Sequence, residues 1–185
     1  MAKKVTGVMQ IMNYLITNFP NDLISVILRN KEDSLKEGNI NDASGLIKRN
    51  SNISWVKDKE TCQRVFSVMK KKTEEFSSLY LDNIEPLQYS EYGVGGEYGW
   101  HRDVHEKPYP NGLVRKMSFS TILNNDFEGG EFDIETKNPA DKKRYDTFDN
   151  KKHNTIIFPS HMWHRVRPVK FGVRKSIVGW VLGPP

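Results

Sequence analysis

The second half of the chain consists of short hydrophobic runs with two-residue periodicity, and this pattern constrains the fold more than any other feature. Gly, Asn, Asp and Pro separate the runs, which cover residues 87–92, 117–123, 131–135, 154–158 and 173–182. Short strands joined by turns are typical of an all-β sandwich or barrel. We therefore expect a mainly β fold with supporting helices, in which the charged segment 137–153 is an exposed excursion between two strands.

The first 84 residues are predicted to be mainly helical support for this β core. A rough alternation within residues 9–19 allows an opening strand. Pro20-Asn21-Asp22 is suited to starting a helix that runs through Leu28, and a second helix is predicted from the N-cap residue Asp58. The polar stretch 36–52 is predicted to be a loop. A length of 185 residues fits one domain, 1–185, with the chemistry in residues 85–185.

Composition limits the cellular setting and the partners. Cys62 is the only cysteine, which excludes an intrachain disulfide and favours a reducing, cytoplasmic location. No hydrophobic run approaches the roughly 20 residues that a membrane-spanning helix needs, so no membrane partner is expected. The 28 basic and 23 acidic residues give a net charge of +5, which neither requires nor excludes a nucleic-acid partner.

Three residues from two separated stretches could hold a metal ion. His101 and Asp103 are two positions apart, so on an extended strand their side chains project from the same face. His164 supplies a second imidazole further along the chain. Two histidines and one carboxylate form the ligand set of non-haem Fe(II) oxygenases, which leaves coordination positions open. The His-x-Asp pair by itself is a weak signal, because short motifs arise by chance.

A candidate anion-binding pair follows the last of these residues. Arg174 and Ser176 share one face of a predicted strand that is otherwise apolar. A buried arginine is costly unless it meets an anion, and its planar guanidinium binds a carboxylate through two hydrogen bonds. The pair could therefore clamp a carboxylate. Taken by themselves, however, the two residues favour an ordinary salt bridge on an edge strand.

Residues 85–182 contain, in order, a long series of residues that are characteristic of one protein family. They are Tyr92, Gly93, Gly96, Tyr98, Gly99, His101, Asp103, Arg115, Leu123-Asn124, Gly129-Gly130-Glu131-Phe132, Phe158-Pro159-Ser160, His164-Arg165-Val166, Pro168-Val169, Gly172, Arg174 and Trp180. In these landmarks the chain resembles the Fe(II)/2-oxoglutarate-dependent oxygenases of the prolyl 4-hydroxylase superfamily, especially the PKHD-type hydroxylases. The resemblance implies a double-stranded β-helix core, also called a jelly roll or cupin-like fold, over residues 85–185.

The resemblance also implies roles for individual residues. His101, Asp103 and His164 take the positions of the iron ligands, which are the catalytic and metal-binding residues. Arg174 takes the position of the residue that grips the C5 carboxylate of 2-oxoglutarate, with Ser176 as its hydroxyl companion.

Four further residues match positions that surround the co-substrate or the prime substrate in the family. Tyr92 matches the tyrosine beside 2-oxoglutarate, and Tyr98, Arg115 and Trp180 match positions near the prime substrate. Each of the last three also has a structural explanation. Tyr98 could cap a turn, Arg115 could sit on the surface and Trp180 could fill the end of the core.

The chain departs from the family pattern at one position and offers histidines that could be mistaken for ligands. Ile122 stands where some relatives carry a hydroxyl group, and Ser118 or Ser120 could replace it. His161 lies three residues before His164, but the sequence context favours His164 as the ligand. His105 and His153 lie in polar sequence and are expected to be exposed.

The predicted activity is hydroxylation of an unactivated C–H bond in a peptidyl or free amino acid, with release of succinate and CO2. The resemblance implies Fe(II), 2-oxoglutarate and O2 as cofactors and co-substrates, and it allows L-ascorbate as well. Two other hypotheses are AlkB-type dealkylation of nucleic acid and a non-catalytic jelly-roll binding module. AlkB-type enzymes carry a second arginine six residues after the clamp arginine, where this chain has Trp180. A binding module need not retain both the triad and the clamp.

Overall fold

The computed structural model describes residues 14–38, 47–137, 140, 142 and 144–185. Two helices and fifteen strands are found in this part of the chain. In chain order they are β1 (Leu15–Asn18), α1 (Asn21–Arg29), β2 (Lys36–Glu37), β3 (Arg49–Asn50), β4 (Asn52–Val56), α2 (Lys59–Glu74), β5 (Asn83–Ile84), β6 (Leu87–Tyr92), β7 (Glu97–His101), β8 (Val114–Ile122), β9 (Phe127–Gly129), β10 (Phe132–Glu135), β11 (Tyr145–Phe148), β12 (Asn154–Pro159), β13 (His164–Val166), β14 (Val169–Gly172) and β15 (Arg174–Gly183).

The strands form a large sheet, a smaller sheet and a two-stranded ribbon, with antiparallel pairing throughout the described residues. The large sheet has eight strands in the order β1-β12-β8-β15-β6-β4-β2, with β5 paired to β15. The smaller sheet has the order β11-β10-β13-β7-β3, and β14 pairs with β9. Non-consecutive neighbours such as β12, β8 and β15 show that the chain repeatedly crosses between layers. The predicted mainly β, jelly-roll fold class is confirmed.

Two hydrophobic clusters lie on opposite sides of the large sheet. One cluster packs α1 and α2 against its outer face, with Ile27, Met69 and Phe119 among the buried residues. The other fills the space between the two sheets and includes Tyr92, Phe132 and Phe158. Because side chains alternate along a strand, β6, β8 and β12 each contribute to both clusters. The inner cluster surrounds the residues that were predicted to carry the chemistry.

Both helices form where the sequence predicted them. Asp58 caps α2, since its Oδ1 accepts hydrogen bonds from the backbone N–H and the hydroxyl of Thr61 at 2.8 and 2.6 Å. Cys62 is buried on the packed face of α2, as expected for a core residue. Neither helix in the described part of the chain has the length and apolar character needed to cross a membrane.

Three sequence-based boundaries differ from the structure. The predicted loop 36–52 contains β2 and β3 and reaches into β4, while residues 39–46 lie outside the described part. The predicted excursion 137–153 contains β11, which pairs with β10 at the edge of the smaller sheet. The opening strand is confined to Leu15–Asn18, and its predicted residues before 14 lie outside the described part. These short strands are stabilised by hydrogen bonds to neighbouring strands. Such pairing cannot be predicted from the sequence of a short polar segment.

Candidate metal centre

A β-bulge orients the first predicted ligand, His101. Strands β7 and β13 pair His101 with His164 and Tyr98 with Val166, so three steps along β7 span two steps along β13. The extra residue breaks the normal alternation and turns both Tyr98 and His101 toward the inner face. Their rings stack with centroids 3.5 Å apart and planes inclined by 11°. The bulge therefore sets the orientation of His101.

Asp103 reaches the same point from beyond the end of β7. We expected His101 and Asp103 to share an extended strand, but β7 ends at His101. Two backbone contacts hold the following loop in place. The Asp103 N–H donates to the Ser160 carbonyl at 2.9 Å, and the Asp103 carbonyl accepts from Nη1 of Arg115 at 3.2 Å. Convergence thus depends on tertiary contacts as well as on the local spacing.

His164 opens β13 and completes the cluster. Its imidazole packs against the rings of Phe132 and Phe158, with centroid separations of 5.5 and 4.7 Å. Nε2 of His164 lies 3.5 Å from Oδ2 of Asp103, and Nε2 of His101 lies 3.7 Å from Oδ1. One donor atom from each of the three residues lies within 4.8 Å of the other two, and all three residues are buried. This separation suits ligands arranged around one cation.

Hydrogen bonds fix which nitrogen of each imidazole can bind a metal. Nδ1 of His101 lies 2.8 Å from the Gly99 carbonyl, and Nδ1 of His164 lies 2.9 Å from the Met162 carbonyl. A carbonyl only accepts, so each Nδ1 carries the proton and each Nε2 presents its lone pair to the centre. This is the tautomer that metal coordination requires.

The electrostatic setting keeps the donor atoms in their metal-binding states. Burial, together with the neighbouring His164, lowers the pKa of His101 to about 3, so this imidazole is neutral. Burial alone would raise the pKa of Asp103, but the adjacent His164 and His101 hold it below its usual value. A neutral His101 beside an ionised Asp103 offers two metal ligands rather than a salt bridge. Two histidines and one carboxylate match the facial ligand set for Fe(II).

Arg174 lies at the start of β15 with its guanidinium inside the protein. The residue is 1% exposed, and Nη1 donates to the Ser176 hydroxyl at 3.1 Å. Among the described residues, nothing accepts a hydrogen bond from Nε or Nη2. The guanidinium also lies 5.5 Å from the ring centre of Tyr92, which pairs with Arg174 across β6 and β15. The alternative of an ordinary salt bridge on an edge strand is wrong, because β15 is central and no carboxylate of the described residues pairs with Arg174.

The unsatisfied guanidinium fits a carboxylate ligand. Burial lowers the pKa of Arg174 to about 10, yet the group stays cationic at neutral pH. A buried cation with two free donors is unfavourable unless an anion binds to it. Gly130, with φ of 61°, allows the Arg174 side chain to pack closely against the backbone. A Cβ at this position would lie 2.8 Å from Cδ of Arg174. The residues present therefore fit one carboxylate of 2-oxoglutarate.

A cavity of about 520 Å³ joins the cluster and the clamp. His101, Asp103, His164, Arg174, Ser176 and Tyr92 all line it. The three predicted substrate residues line the same cavity. Tyr98 stacks on His101, and burial raises its pKa to about 12. Arg115 lies 4.0 Å above the ring of Trp180, whose buried Nε1 has no partner among the described residues.

Arg115 also makes a contact that sequence reasoning missed. Its Nε and Nη2 donate to the two carboxylate oxygens of Glu85 at 2.6 and 2.7 Å, and Tyr109 donates to the same carboxylate. The Arg115 side chain is therefore mostly buried in the cavity wall, with 13% of it exposed, rather than on the surface. Trp55, from β4, is a second missed residue, with its ring centre 6.4 Å from that of Trp180. The alternation in β4 was the signal that could have found Trp55.

The remaining histidines lie outside this cluster. His161 is exposed in the turn before His164, and His105 is exposed as predicted. His153 is half-buried rather than fully exposed, because its backbone N–H donates to the Ile122 carbonyl at 2.7 Å. Of the two replacement hydroxyls, Ser120 lines the cavity, whereas Ser118 donates to Ser160 at 3.0 Å.

Comparison with protein families gives a match that begins at β6 and runs into β15. Residues 87–182 match the family model described as the 2OG-Fe(II) oxygenase superfamily. A PKHD-type hydroxylase of Idiomarina loihiensis is 29% identical over 137 residues, which cover 73% of this chain and 59% of that protein. The chain spans about half the length of the curated relatives it matches.

Solved structures share the same fold. The viral collagen prolyl hydroxylase of Paramecium bursaria Chlorella virus-1 superposes with a TM-score of 0.67 at 19% identity, covering 96% of this chain and 99% of that chain. A Trichoplax adhaerens prolyl hydroxylase, in complex with a peptide fragment of hypoxia inducible factor, gives a TM-score of 0.65 at 17% identity. That alignment covers 91% of this chain and 83% of the Trichoplax chain. At these identities the likeness concerns the fold.

Proposed function

Because the chain belongs to the 2OG-Fe(II) oxygenase superfamily, we propose that it hydroxylates an unactivated C–H bond of an amino acid, either peptidyl or free. In the proposed reaction one atom of O2 enters the substrate as a hydroxyl group. The other oxidises 2-oxoglutarate, which yields succinate and CO2. Bound iron and 2-oxoglutarate supply the oxidising chemistry, and the protein supplies binding, orientation and a water-poor cavity. L-ascorbate as an additional reductant and a cytoplasmic location stay predictions.

His101, Asp103 and His164 would hold the iron through Nε2, a carboxylate oxygen and Nε2. Their positions are supported by the Nδ1–H bonds to Gly99 and Met162, which prevent the imidazoles from rotating. No side chain needs to act as a strong general base, because the bound iron and co-substrate would supply the oxidant that removes hydrogen from the substrate. The three protein ligands leave coordination positions for the co-substrate and O2.

One observation carries the proposal: a buried, unpaired guanidinium faces the same cavity as the triad. Arg174 and Ser176 would bind the C5 carboxylate of 2-oxoglutarate, with Tyr92 beside it. A non-catalytic binding module has no need for an unfavourable buried cation next to three metal-ligating groups. That alternative therefore lacks support from the site.

The substrate class rests on similarity. The Idiomarina relative is named a PKHD-type hydroxylase, and the Trichoplax structure contains a peptide. Both favour a protein or peptide substrate, or a free amino acid, over nucleic acid. The alternative of AlkB-type dealkylation is further weakened by Trp180, which fills the cavity wall where that enzyme type has an arginine. Tyr98, Arg115 and Trp180 are the proposed substrate-facing residues.

Anaerobic titration tests this proposal directly. Adding Fe(II) and 2-oxoglutarate to the protein should produce the metal-to-ligand charge-transfer band, and admitting air should produce succinate. A screen of peptides and host proteins by mass spectrometry should then find products heavier by one oxygen atom. Absence of both the band and succinate would reject the oxygenase assignment.

A further inference from the structure

The carboxylate ligand Asp103 lies in a loop rather than on a strand, so its position depends on the contacts that hold this loop. The loop covers residues 102–113, between β7 and β8. Nη1 of Arg115 donates to the Asp103 carbonyl at 3.2 Å, and the Tyr109 hydroxyl donates to Oε1 of Glu85 at 2.8 Å. Because Arg115 is itself bound to Glu85, both contacts lead to the same carboxylate.

Glu85 is firmly attached to the large sheet. It lies between β5 and β6, which both pair with β15, and its backbone N–H donates to the Trp180 carbonyl at 3.0 Å. Its two carboxylate oxygens accept from Nε and Nη2 of Arg115 at 2.6 and 2.7 Å, while the guanidinium lies 4.0 Å from the ring centre of Trp180. The side chain of Glu85 is 17% exposed. Glu85 therefore fixes the orientation of the Arg115 guanidinium.

This orientation matters because Arg115 is a cation close to a proposed metal ligand. Burial raises the pKa of Asp103, and Arg115 is among the groups whose charge lowers it, so the two side chains attract each other. A mostly buried cation without an acidic partner is unfavourable. Without the charge of Glu85, the guanidinium would turn from the carbonyl of Asp103 to its carboxylate. Arginine binds a carboxylate through two hydrogen bonds, which would occupy the oxygens that a metal needs.

We propose that Glu85 is a positioning residue of the metal centre, which holds Arg115 on the backbone of Asp103 and leaves the Asp103 carboxylate to the metal. The inference rests on the proposed function and extends it to a residue outside the ligand set and the co-substrate clamp. Glu85 acts through Arg115, since its carboxylate is bound to that guanidinium and to Tyr109.

The test is the binding of Mn(II) to the full chain, measured by isothermal titration calorimetry without 2-oxoglutarate. Glu85→Gln removes the charge with little change in size, and we expect the dissociation constant for Mn(II) to rise by about tenfold or more. Arg115→Gln in the same chain also removes the competing cation, so the double variant should regain most of the lost affinity. A merely structural role predicts the opposite, because the second substitution disturbs the cavity wall further.

Glu91→Gln is the matched control. The Glu91 side chain is 24% exposed, accepts a hydrogen bond from the Tyr89 hydroxyl at 2.6 Å and lies 4.0 Å from Nζ of Lys175. It therefore resembles Glu85 in burial and in its tyrosine and cationic partners, but it is not part of the described cavity wall. This variant should bind Mn(II) like the unmodified protein. Denaturant unfolding of all variants separates a loss of stability from a loss of metal affinity.

Failure of the inference can be told apart from failure of the proposed function. If the unmodified protein binds no Mn(II), the metal centre itself fails, and the oxygenase assignment fails with it. If the unmodified protein and Glu85→Gln bind Mn(II) equally tightly, Glu85 does not position the ligand, while the oxygenase assignment stands. A double variant that binds Mn(II) no better than Glu85→Gln would also overturn the inference, because Arg115 would then not be the competitor.

Discussion

At the level of single residues, substitutions of two histidines that lie three positions apart test the metal centre. His164→Ala removes a buried Nε2 donor, so we expect turnover to be abolished and the Fe(II) affinity to fall by at least about tenfold. His161→Ala should change neither, because His161 is exposed in the preceding turn. Metal titration and succinate release measure the two effects. Equal losses in the two variants would contradict the assignment of His164.

Arg174→Ala tests the clamp. The substitution removes charge-assisted hydrogen bonds of about 1.5–3 kcal/mol each, so the KM for 2-oxoglutarate should rise by one to two orders of magnitude. The Fe(II) affinity should stay close to that of the unmodified protein, since Arg174 is not a ligand. Lys175→Ala, on the opposite and half-exposed side of β15, is the control. An unchanged KM in Arg174→Ala would show that another group binds the co-substrate.

At the level of elements, the turn between β9 and β10 determines the space available to the clamp. Gly130→Ala forces an L residue into φ of 61° and brings its Cβ within 2.8 Å of Cδ of Arg174. We expect a loss of about 1–3 kcal/mol in stability and a raised KM for 2-oxoglutarate. Denaturant unfolding and steady-state kinetics measure these two quantities.

Gly112→Ala separates backbone strain from the displacement of Arg174. Gly112 has a similar φ of 78°, but a Cβ there would meet no atom within 4 Å. This variant should lose stability without any change in KM. If both variants raise KM alike, the contact between residue 130 and Arg174 does not control the clamp.

The elements that the sequence predicted share one property, which the missed elements lack. β6, β8, β12 and β15 each have at least six residues, so their own alternation identifies them. β2 and β3 have two residues each and exist only through pairing with neighbours. A two-residue period also cannot reveal the bulge in β7, because the bulge is a break in that period.

The same contrast applies to the site. The motif around His101 and the context of His164 singled out, from five histidines, the two that the structure brings together with Asp103. Glu85 could not be selected, because its role depends on Arg115, thirty positions away in sequence. Trp55 follows the predicted loop 36–52, and only the alternation in the short strand β4 marks it. A distant contact accounts for the omission of Glu85, and a weak local signal accounts for that of Trp55.

At the level of the whole molecule, we expect the buried Arg174 to lower the stability of the protein in the absence of co-substrate. Arg174→Met replaces a buried, partly unsatisfied cation by an apolar side chain of similar length. We expect the free energy of unfolding of the ligand-free protein to rise by about 1–4 kcal/mol. Adding saturating 2-oxoglutarate to the Mn(II)-loaded protein should then stabilise the unmodified protein more than the Mn(II)-loaded variant.

Thermal and denaturant unfolding, each with and without co-substrate, give the four measurements required. Ser176→Ala is a useful comparison, because it removes one more acceptor from Nη1 while the charge stays in place. That variant should be less stable than the unmodified protein. A ligand-free Arg174→Met protein that is also less stable would show that the cation is better compensated than its contacts indicate.

The large sheet also acts as a partition, with helices on one side and the cavity on the other. Lys70 and Lys71 are exposed on α2, on the side remote from the triad. A fluorophore, an affinity tether or a surface support coupled through these amines would lie on the helical side of the large sheet, away from the cavity. Labelled or immobilised protein could thus be assayed with its entrance unobstructed.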